Sequence, residues 1–528
     1  MKLELLAPAG SMANLKAAIQ KGADSVYLGM GNFTARSYAT NFNQEYLRQA
    51  VKICRSNNVK LYLTMNTLVK NQEFKQFFNQ LSFAYSAGID SVIIQQTSFL
   101  DIIKKSYPDL KVHISTQAGV MNSIHANLLK NADRINLARE LSKNQIASIR
   151  SNFSKEIEIF CHGALCSSVS GNCLFSSLLG GRSGNRGKCA QPCRKKYNGK
   201  YLLSTKELCL IHKVPEIINM GIDSVKIEGR MRTPYYVAAV TSAYREAIDN
   251  YYNQGRQGHL LISNQTLSLL KTAFTREFTE GRYSSQNVFN TARSNATTIS
   301  KNEIYSVNVN NNIKINRNKP ITPNLAIHPK SSPERMLLVR SYSYKDACSA
   351  FDNGADVVYF DLFSDEFCSV RKDFPKRRLY GVTPRIMLDR DFEVIKSEIS
   401  KQKPDGLLIG NPAALKYNLP VHFDYNLNYF NDIDVANAKG LPIISPELSL
   451  NELEKFKAKN FAVLVHGKIR LMTLFHDVKG VLKDERNSLF YANKIYNGSE
   501  ILNEKEIGLF KKSKQFVDAG INKFFVDT

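Results

Sequence analysis

No apolar run in the 528 residues reaches the roughly 18 that a membrane-spanning helix needs, so nothing points to a membrane-embedded class. The N-terminus, "MKLELLAPAG", enters a strand-like run at once, with neither the apolar core nor the cleavage site of a signal peptide. A cytoplasmic setting is therefore expected, where thiols stay reduced. That makes a disulfide framework a poor account of the nine cysteines. Neither G-x-S-x-G nor H-E-x-x-H occurs, so the sequence signposts no serine-hydrolase elbow and no zinc-peptidase helix. Acids are also scarce: 47 Asp and Glu face 71 Lys and Arg, leaving a net charge of +24. Such an excess suits a polyanionic partner, most simply RNA or DNA. Abundant Lys, Asn, Ile and Tyr offer a purely compositional account of part of it. Local clustering says more. Six cations and no acid lie between Arg182 and Lys196 (Arg182, Arg186, Lys188, Arg194, Lys195 and Lys196).

What is present is a regular alternation. Eight short apolar, β-branched runs fill the first 230 residues, at 3–9, 25–30, 59–66, 91–96, 111–117, 133–139, 157–163 and 224–230. Helical patterns separate them, among them 12–21, 44–57, 72–87 and 98–105. Near-continuous apolar strands alternating with helices predict an α/β fold with a buried parallel sheet. Eight such units predict a TIM-like (β/α)8 barrel. "KGAD", "SAGID" and "NMGID" each precede a strand and read as glycine-capped helix ends. The barrel is expected over 1–255, with a Cys-rich loop at 161–193. Residues 256–333 read as a linker plus a small β-rich module, from their Asn/Ser/Thr content and alternating runs such as "EIYSVNVNNNIKINRN". Residues 334–528 read as a second, degenerate barrel-like repeat. "RMLLVRSYSYKDACSAFDNGADVVYFDLF" aligns with "LELLAPAGSMANLKAAIQKGADSVYLGMG", and "FAVLVHGKIRLMT" echoes "IEIFCHGALCSSV". The repeat lacks the clustered cysteines, so a structural or substrate-presenting part is expected of it.

Ligand sites in such barrels lie at the C-terminal ends of the strands. Here those ends carry Gly10, Arg36, Asn66, Gln95, Gln117, His162, Glu228 and Arg230. Any one of them is an ordinary loop residue, but their recurrence favours a shared pocket. His162 reads as a general base or anion ligand, or as a hydrogen-bonded strand-end histidine. Arg230 and Arg232 can hold a carboxylate or phosphate bidentately. Alternatively Glu228 pairs with Arg230 or Lys226 and merely closes the barrel. Cys161 falls within strand seven. The other four cysteines of the segment, Cys166, Cys173, Cys189 and Cys193, are spaced C-x6-C-x15-C-x3-C on a glycine-hinged loop. Thiolates on one flexible loop can converge on a soft metal centre. The irregular spacing suits a 4Fe-4S cluster. Zinc, which prefers tight paired knuckles, and merely reactive or buried thiols remain alternatives.

"HGALCSSVSGNCLFSSLLGGRSGNRGKCAQPCR", followed by "KIEGRMRTPYYVA" and preceded by "LAPAG" and "VYLG", closely resembles the signature of peptidase family U32 over roughly residues 1–280. The family takes its name from collagenase-like proteases. The resemblance to its bacterial members implies a different chemistry. Some are iron–sulfur proteins that hydroxylate a tRNA wobble uridine or a 23S rRNA cytidine in a prephenate-dependent way, and others hydroxylate a ubiquinone precursor without oxygen. The family's cysteines map onto Cys166, Cys173, Cys189 and Cys193. In some relatives a ligand cysteine stands where this chain has Val237.

The function expected from this resemblance and the charge is hydroxylation of a pyrimidine base in tRNA or rRNA. His162, Glu228 and Arg230 are expected at the reacting base. Arg36, Asn66, Gln117, Arg182, Arg186, Lys188, Arg194 and Arg232 are expected to hold RNA and a small carboxylate such as prephenate. An electron donor such as ferredoxin is an expected partner. A collagenase-like peptidase and a non-catalytic scaffold are the alternatives.

Overall fold

The eight apolar runs become the staves of a closed barrel in a computed structural model, which describes residues 2–256, 260, 262–274, 276–289, 303–325, 327 and 334–528. The chain divides into two units. The first comprises Met1–Leu68, Phe74–Gly171 and Leu179–Pro323; the second comprises Val69–Glu73, Asn172–Leu178 and Asn324–Thr528.

In the first unit the strands are β1 (Glu4–Pro8), β2 (Ser25–Gly29), β3 (Lys60–Met65), β4 (Ser91–Ile94), β5 (Lys111–Ile114), β6 (Arg134–Asn136), β7 (Glu156–Ala164), β8 (Glu207–Cys209), β9 (Ser224–Ile227) and β10 (Phe278–Thr279). Strands β1 to β7 pair in sequence order, and β9 closes the ring by pairing in parallel with both β1 and β7. β8 adds antiparallel to β7, and β10 pairs with β8. The staves are buried along almost their whole length, as strands covered on both faces must be. Helices Met12–Gln20, Gln44–Ser56, Phe74–Ala87 and Leu100–Ser106 lie where the sequence pattern puts them.

The "Gly-x-Asp" turns do more than end helices. Asp24, Asp90 and Asp223 each accept a hydrogen bond from the first amides of a neighbouring strand, at Leu5, Leu61 and Ile157, all at 2.8 Å. Each turn thereby ties the start of one stave to the next. The barrel interior is charged near these starts. Arg134 donates to Glu4 at 2.6 Å and to Glu158 at 3.3 Å, and Lys226 donates to Glu158 at 2.9 Å. Burial alone would push the Glu4 carboxyl up, but Arg134 outweighs it and holds Glu4 at about 2.

Between 256 and 333 the described residues hold the α-helix Asn264–Ala273, a short 3-10 helix at Gly281–Ser284 and the two-residue β10. Residues 290–302, part of the Asn/Ser/Thr-rich stretch, lie outside the described residues. Over 303–325 the expected β-rich module is not seen among the described residues. Instead, "EIYSVNVNNNIKINRN" belongs to a strap without regular secondary structure. Its amides bond to side chains and carbonyls at the ends of barrel elements: Asn310 N donates to Ser56 Oγ at 2.8 Å, and Ile321 N to Ser106 O at 2.9 Å. Among the described residues it pairs with no strand, so the alternation does not become a ladder there.

The second unit contains β11 (Met336–Arg340), β12 (Val357–Asp361), β13 (Arg378–Val382), β14 (Gly406–Ile409), β15 (Val421–Phe423), β16 (Leu441–Pro442), β17 (Val463–Gly467), β18 (Arg470–Leu474), β19 (Gly480–Lys483), β20 (Leu489–Ile495), β21 (Gly498–Asn503), β22 (Ile507–Gly508) and β23 (Lys523–Asp527). It repeats the first barrel closely. β11 to β16 pair in order, β23 lies between β11 and β17, and a parallel bridge from Ile443 to Ala462 joins β16 to β17. β22 pairs antiparallel with β17 at His466 and Gly467, as β8 does with β7 at His162 and Gly163. Asp356 accepts from Leu337 N at 2.7 Å, the counterpart of Asp24 and Leu5. The difference lies between the seventh strand and its antiparallel partner. The first unit has the cysteine loop there, whereas the second has a four-stranded antiparallel sheet, β18–β21–β20–β19. Among the described residues no helix is long and apolar enough to cross a membrane.

Candidate active site

Several ties hold the loop between β7 and β8, among them a bond from Arg139 to Ser170 Oγ at 2.7 Å and two further sets. Leu68 N donates to Asn185 O at 3.2 Å, and Arg186 Nη1 donates back to Leu68 O at 3.0 Å. Gly187 O accepts from Ser37 Oγ at 2.7 Å. Gly187 has φ 78°, and a Cβ there would fall 2.2 Å from Thr34 O, so only glycine lets the loop approach the β2 end this closely. The second set comes from Arg194. Its guanidinium donates to Ser204 Oγ at 2.9 Å, to Thr205 Oγ1 at 3.0 Å and to Thr205 O. Thr205 Oγ1 in turn donates to Leu165 O at 3.1 Å. These bonds staple the turn bearing Cys193 to the segment bearing Cys166.

Three thiols are thereby gathered in the first unit. Burial pushes the Cys193 thiol up to about 12, with Cys166 and Cys189 adding to the rise and Arg194 opposing it. Burial also raises the Cys166 thiol, against the opposing pull of Arg139. Cys173 belongs to the segment Asn172–Leu178 of the second unit, where it bridges to Met472 while Leu174 N donates to Leu471 O at 2.8 Å. Among the described residues no three Cys, His, Asp or Glu side chains converge at metal-binding geometry. The donor set of three neighbouring thiols suits a soft metal in kind. Binding would have to displace thiol protons. Cys161 lies buried in β7, as the sequence reading placed it, with its Sγ 3.5 Å from Lys226 O.

Arg36 and Glu228 meet at 3.3 Å. The expected pairing of Glu228 with Arg230 or Lys226 is replaced by this one. Burial would raise the Glu228 carboxyl, but Arg36, then Arg139, Lys226 and Arg230, hold it below the usual range. Arg36 is itself raised by Glu228, and Cys189 and Cys166 contribute to that rise. Arg36 therefore lies within electrostatic reach of both thiols.

Arg230 does not stand free as an anion ligand. It donates to Thr64 Oγ1 at 2.8 Å, to Asn41 Oδ1 at 2.7 Å, to Arg36 O at 3.3 Å and to Thr34 Oγ1. Burial lowers it to about 10. Its work is to brace the β9 end against the β2 loop. Arg232 stacks 3.6 Å over Phe274 and lies 3.5 Å from Glu207, so it too is committed to packing. His162 departs furthest from expectation. The β7–β9 register shifts between Phe160 and His162, and this bulge accompanies packing of the ring against Tyr236, Tyr244 and Phe278. Burial, then Arg232, lowers the imidazole to about 3, so it is neutral and caged.

The strand ends supply polar atoms. Asn66 Oδ1 accepts from Ala35 N at 3.0 Å. The Oε1 of Gln117, both amide atoms of Gln95, the Nε of Arg139 and both carboxyl oxygens of Glu140 are buried without a hydrogen-bond partner. Burial raises Glu140 to about 7. Arg139 and Glu140 were missed by the sequence reading. The signal was the charged pair "RE" closing the sixth run, at a strand end where a barrel places its ligands. Of the basic loop, Arg182 and Lys188 are exposed, with Arg182 5.2 Å over Tyr38, whereas Arg186 and Arg194 spend their guanidinium groups on the loop's own anchoring.

Comparison with known proteins follows the same outline. The family model described as peptidase family U32 matches residues 10–292. An uncharacterized protease of Methanocaldococcus jannaschii is 42% identical over 47% of this chain and 65% of its own length. The tRNA hydroxylation protein P1 of Bacillus subtilis is 36% identical over 47% of this chain and 64% of its own length. A collagenase of Porphyromonas gingivalis is 36% identical over 54% of this chain and 74% of its own length. The chain thus spans just under two thirds of the length of the first two relatives. With the barrel, the anchored cysteine loop and a match over more than half its residues, the chain belongs to peptidase family U32.

Proposed function

We propose that the chain hydroxylates a pyrimidine base of RNA, with tRNA as the favoured substrate and rRNA as the other. The observation that carries this reading is the barrel mouth. There the Arg36–Glu228 pair, with Cys166 and Cys189 acting on Arg36, follows strand ends whose Gln95 and Gln117 amides are buried with open hydrogen-bonding capacity. Similarity to a tRNA hydroxylation protein supports it. Cys166, Cys189 and Cys193 of the first unit are proposed to hold a soft metal centre of the iron–sulfur kind. Such a centre would supply one-electron redox chemistry or Lewis acidity toward an oxygen donor, which itself would have to be the two-electron oxidant of the base.

The chain's own residues do the rest. Arg36, about a third exposed, offers its guanidinium to the carboxylate of a small co-substrate such as prephenate. Glu228, held ionised, is our candidate for taking the proton that a hydroxyl replaces on the base. The amides of Gln95 and Gln117 suit the donors and acceptors on a pyrimidine edge. Arg182, Lys188, Lys195 and Lys196, all exposed, suit backbone phosphates. A cytoplasmic location and a ferredoxin-like electron donor belong to the same reading. The peptidase alternative draws on a thiol with His162 as its base, and that imidazole is caged among aromatic rings.

Nucleoside mass spectrometry of tRNA and rRNA from cells lacking the chain tests the proposal. Loss of one hydroxypyrimidine is expected. An unchanged profile, together with gelatin cleavage that a cysteine substitution abolishes, would favour the peptidase.

A further inference from the structure

The opposite end of the first barrel, where the strands begin, holds a cavity of about 300 Å³. That is at the lower end of the range for small-ligand sites. Five cations line it against three carboxylates. The carboxylates are already engaged. Asp90 takes Arg55 and the Leu61 amide, both at 2.8 Å; Asp109 takes Asn318 at 2.5 Å; Glu156 takes Arg134 at 2.6 Å. Lys60 and Lys111, by contrast, reach their nearest carboxylates only at 3.5 and 3.8 Å, and both ammonium-bearing side chains are more than half exposed. His113 lines the same cavity. Its Nδ1 is 3.3 Å from Ser91 Oγ, and its Nε2 is buried without a partner. Burial, then Arg134, Lys226, Lys111 and Lys60, lowers its imidazole well below the usual range. Apart from burial, the cations that oppose a proton there favour an anion.

The strap completes the site. Arg317 donates to Ile89 O and, at 3.4 Å, to Asp109 O, and lies 5.5 Å over the Tyr85 ring. This fixes its charge at the rim. The strap lies beyond residue 292, where the family match ends.

The geometry points to a binding site for a small phosphate-bearing anion at the N-terminal face of this barrel, held by Lys60, Lys111 and the His113 imidazole, with Arg317 at the rim. The site is separate from the cysteine loop and does not depend on the proposed reaction. Isothermal titration calorimetry of the whole chain with inorganic phosphate and with uridine monophosphate, at matched ionic strength against chloride, tests it. Saturable binding of at least one is expected, and the probe that binds more tightly identifies free phosphate or a phosphomonoester as the source. The K60Q/K111Q double variant, altered only at exposed side chains, is expected to bind about tenfold more weakly or worse. His113→Gln, as a second variant, is expected to weaken binding without changing the Arg36–Glu228 end. Absence of saturable binding of both probes, or equal affinity in the double variant, would overturn the proposal.

Discussion

Mild acid is expected to destabilise the fold through His162. In the fold its imidazole is about 1% exposed and lowered to about 3 by burial and by Arg232. In the unfolded chain it titrates near 6.5. Between those values the unfolded state binds the extra proton, so this residue's contribution to stability is full above about pH 6.5 and is lost as pH falls toward 3. Near pH 5 the loss is about 2 kcal/mol, from roughly 1.5 units at 1.36 kcal/mol each. His162→Phe keeps an aromatic ring among Tyr236, Tyr244 and Phe278 and removes the titrating group. Urea denaturation at pH 7 and near pH 5 should therefore show wild type losing about 2 kcal/mol more than the variant on acidification. His125, lowered to about 4, is common to both proteins and cancels in the comparison. Equal losses would refute the caged, neutral imidazole. So would a hundredfold or greater drop in hydroxylation by a variant of unchanged stability, about what removing a general base costs.

Other consequences follow from the same geometry. Anaerobically purified protein should be brown and carry about four irons per chain, and Cys166→Ala, Cys189→Ala and Cys193→Ala should each lose most of that iron by colorimetric assay. Arg230→Met should cost about 3 kcal/mol of stability in denaturant melts, because it strands the buried acceptors Thr34 and Thr64 and the half-buried Asn41. Arg36→Gln should instead raise the co-substrate KM with little change in unfolding midpoint. Changing the exposed Arg182, Lys188 and Lys196 together to Gln should flatten the salt dependence of RNA binding by up to about 2 to 3 units of log–log slope. The same change at Arg194 should mainly loosen the loop, a difference that gel-shift titrations over a salt series and limited proteolysis can separate.

Much of the scaffold could be read from the sequence because it rests on period and burial. Eight apolar runs with glycine-ended helices between them leave few alternatives to a closed parallel barrel, and the repeat carried enough of the same pattern to be aligned with it. The charges within those runs were less informative. Glu4, Arg134, Glu158 and Lys226 each sit in an apolar context, and only the closed ring shows that they pair. The cysteine loop was recognisable from composition, yet which of its cations are free depended on backbone carbonyls and hydroxyls that no spacing rule predicts. Arg186 and Arg194 look like phosphate ligands in the sequence and turn out to be loop anchors. His162 was misread for a related reason. A single bulge decides which way a strand-end residue packs, and strand periodicity cannot see a bulge. The strap over 303–325 alternates like a strand, yet among the described residues it pairs with none.

The central claim is that the cysteine loop serves a base hydroxylation in RNA. Nucleoside mass spectrometry of RNA from a deletion strain, complemented with either the wild-type chain or Cys166→Ala, tests it most directly. The account predicts that the wild-type chain restores a hydroxypyrimidine and that Cys166→Ala, expressed at the same level, does not. Equal hydroxypyrimidine content in the deletion strain and both complemented strains would contradict it.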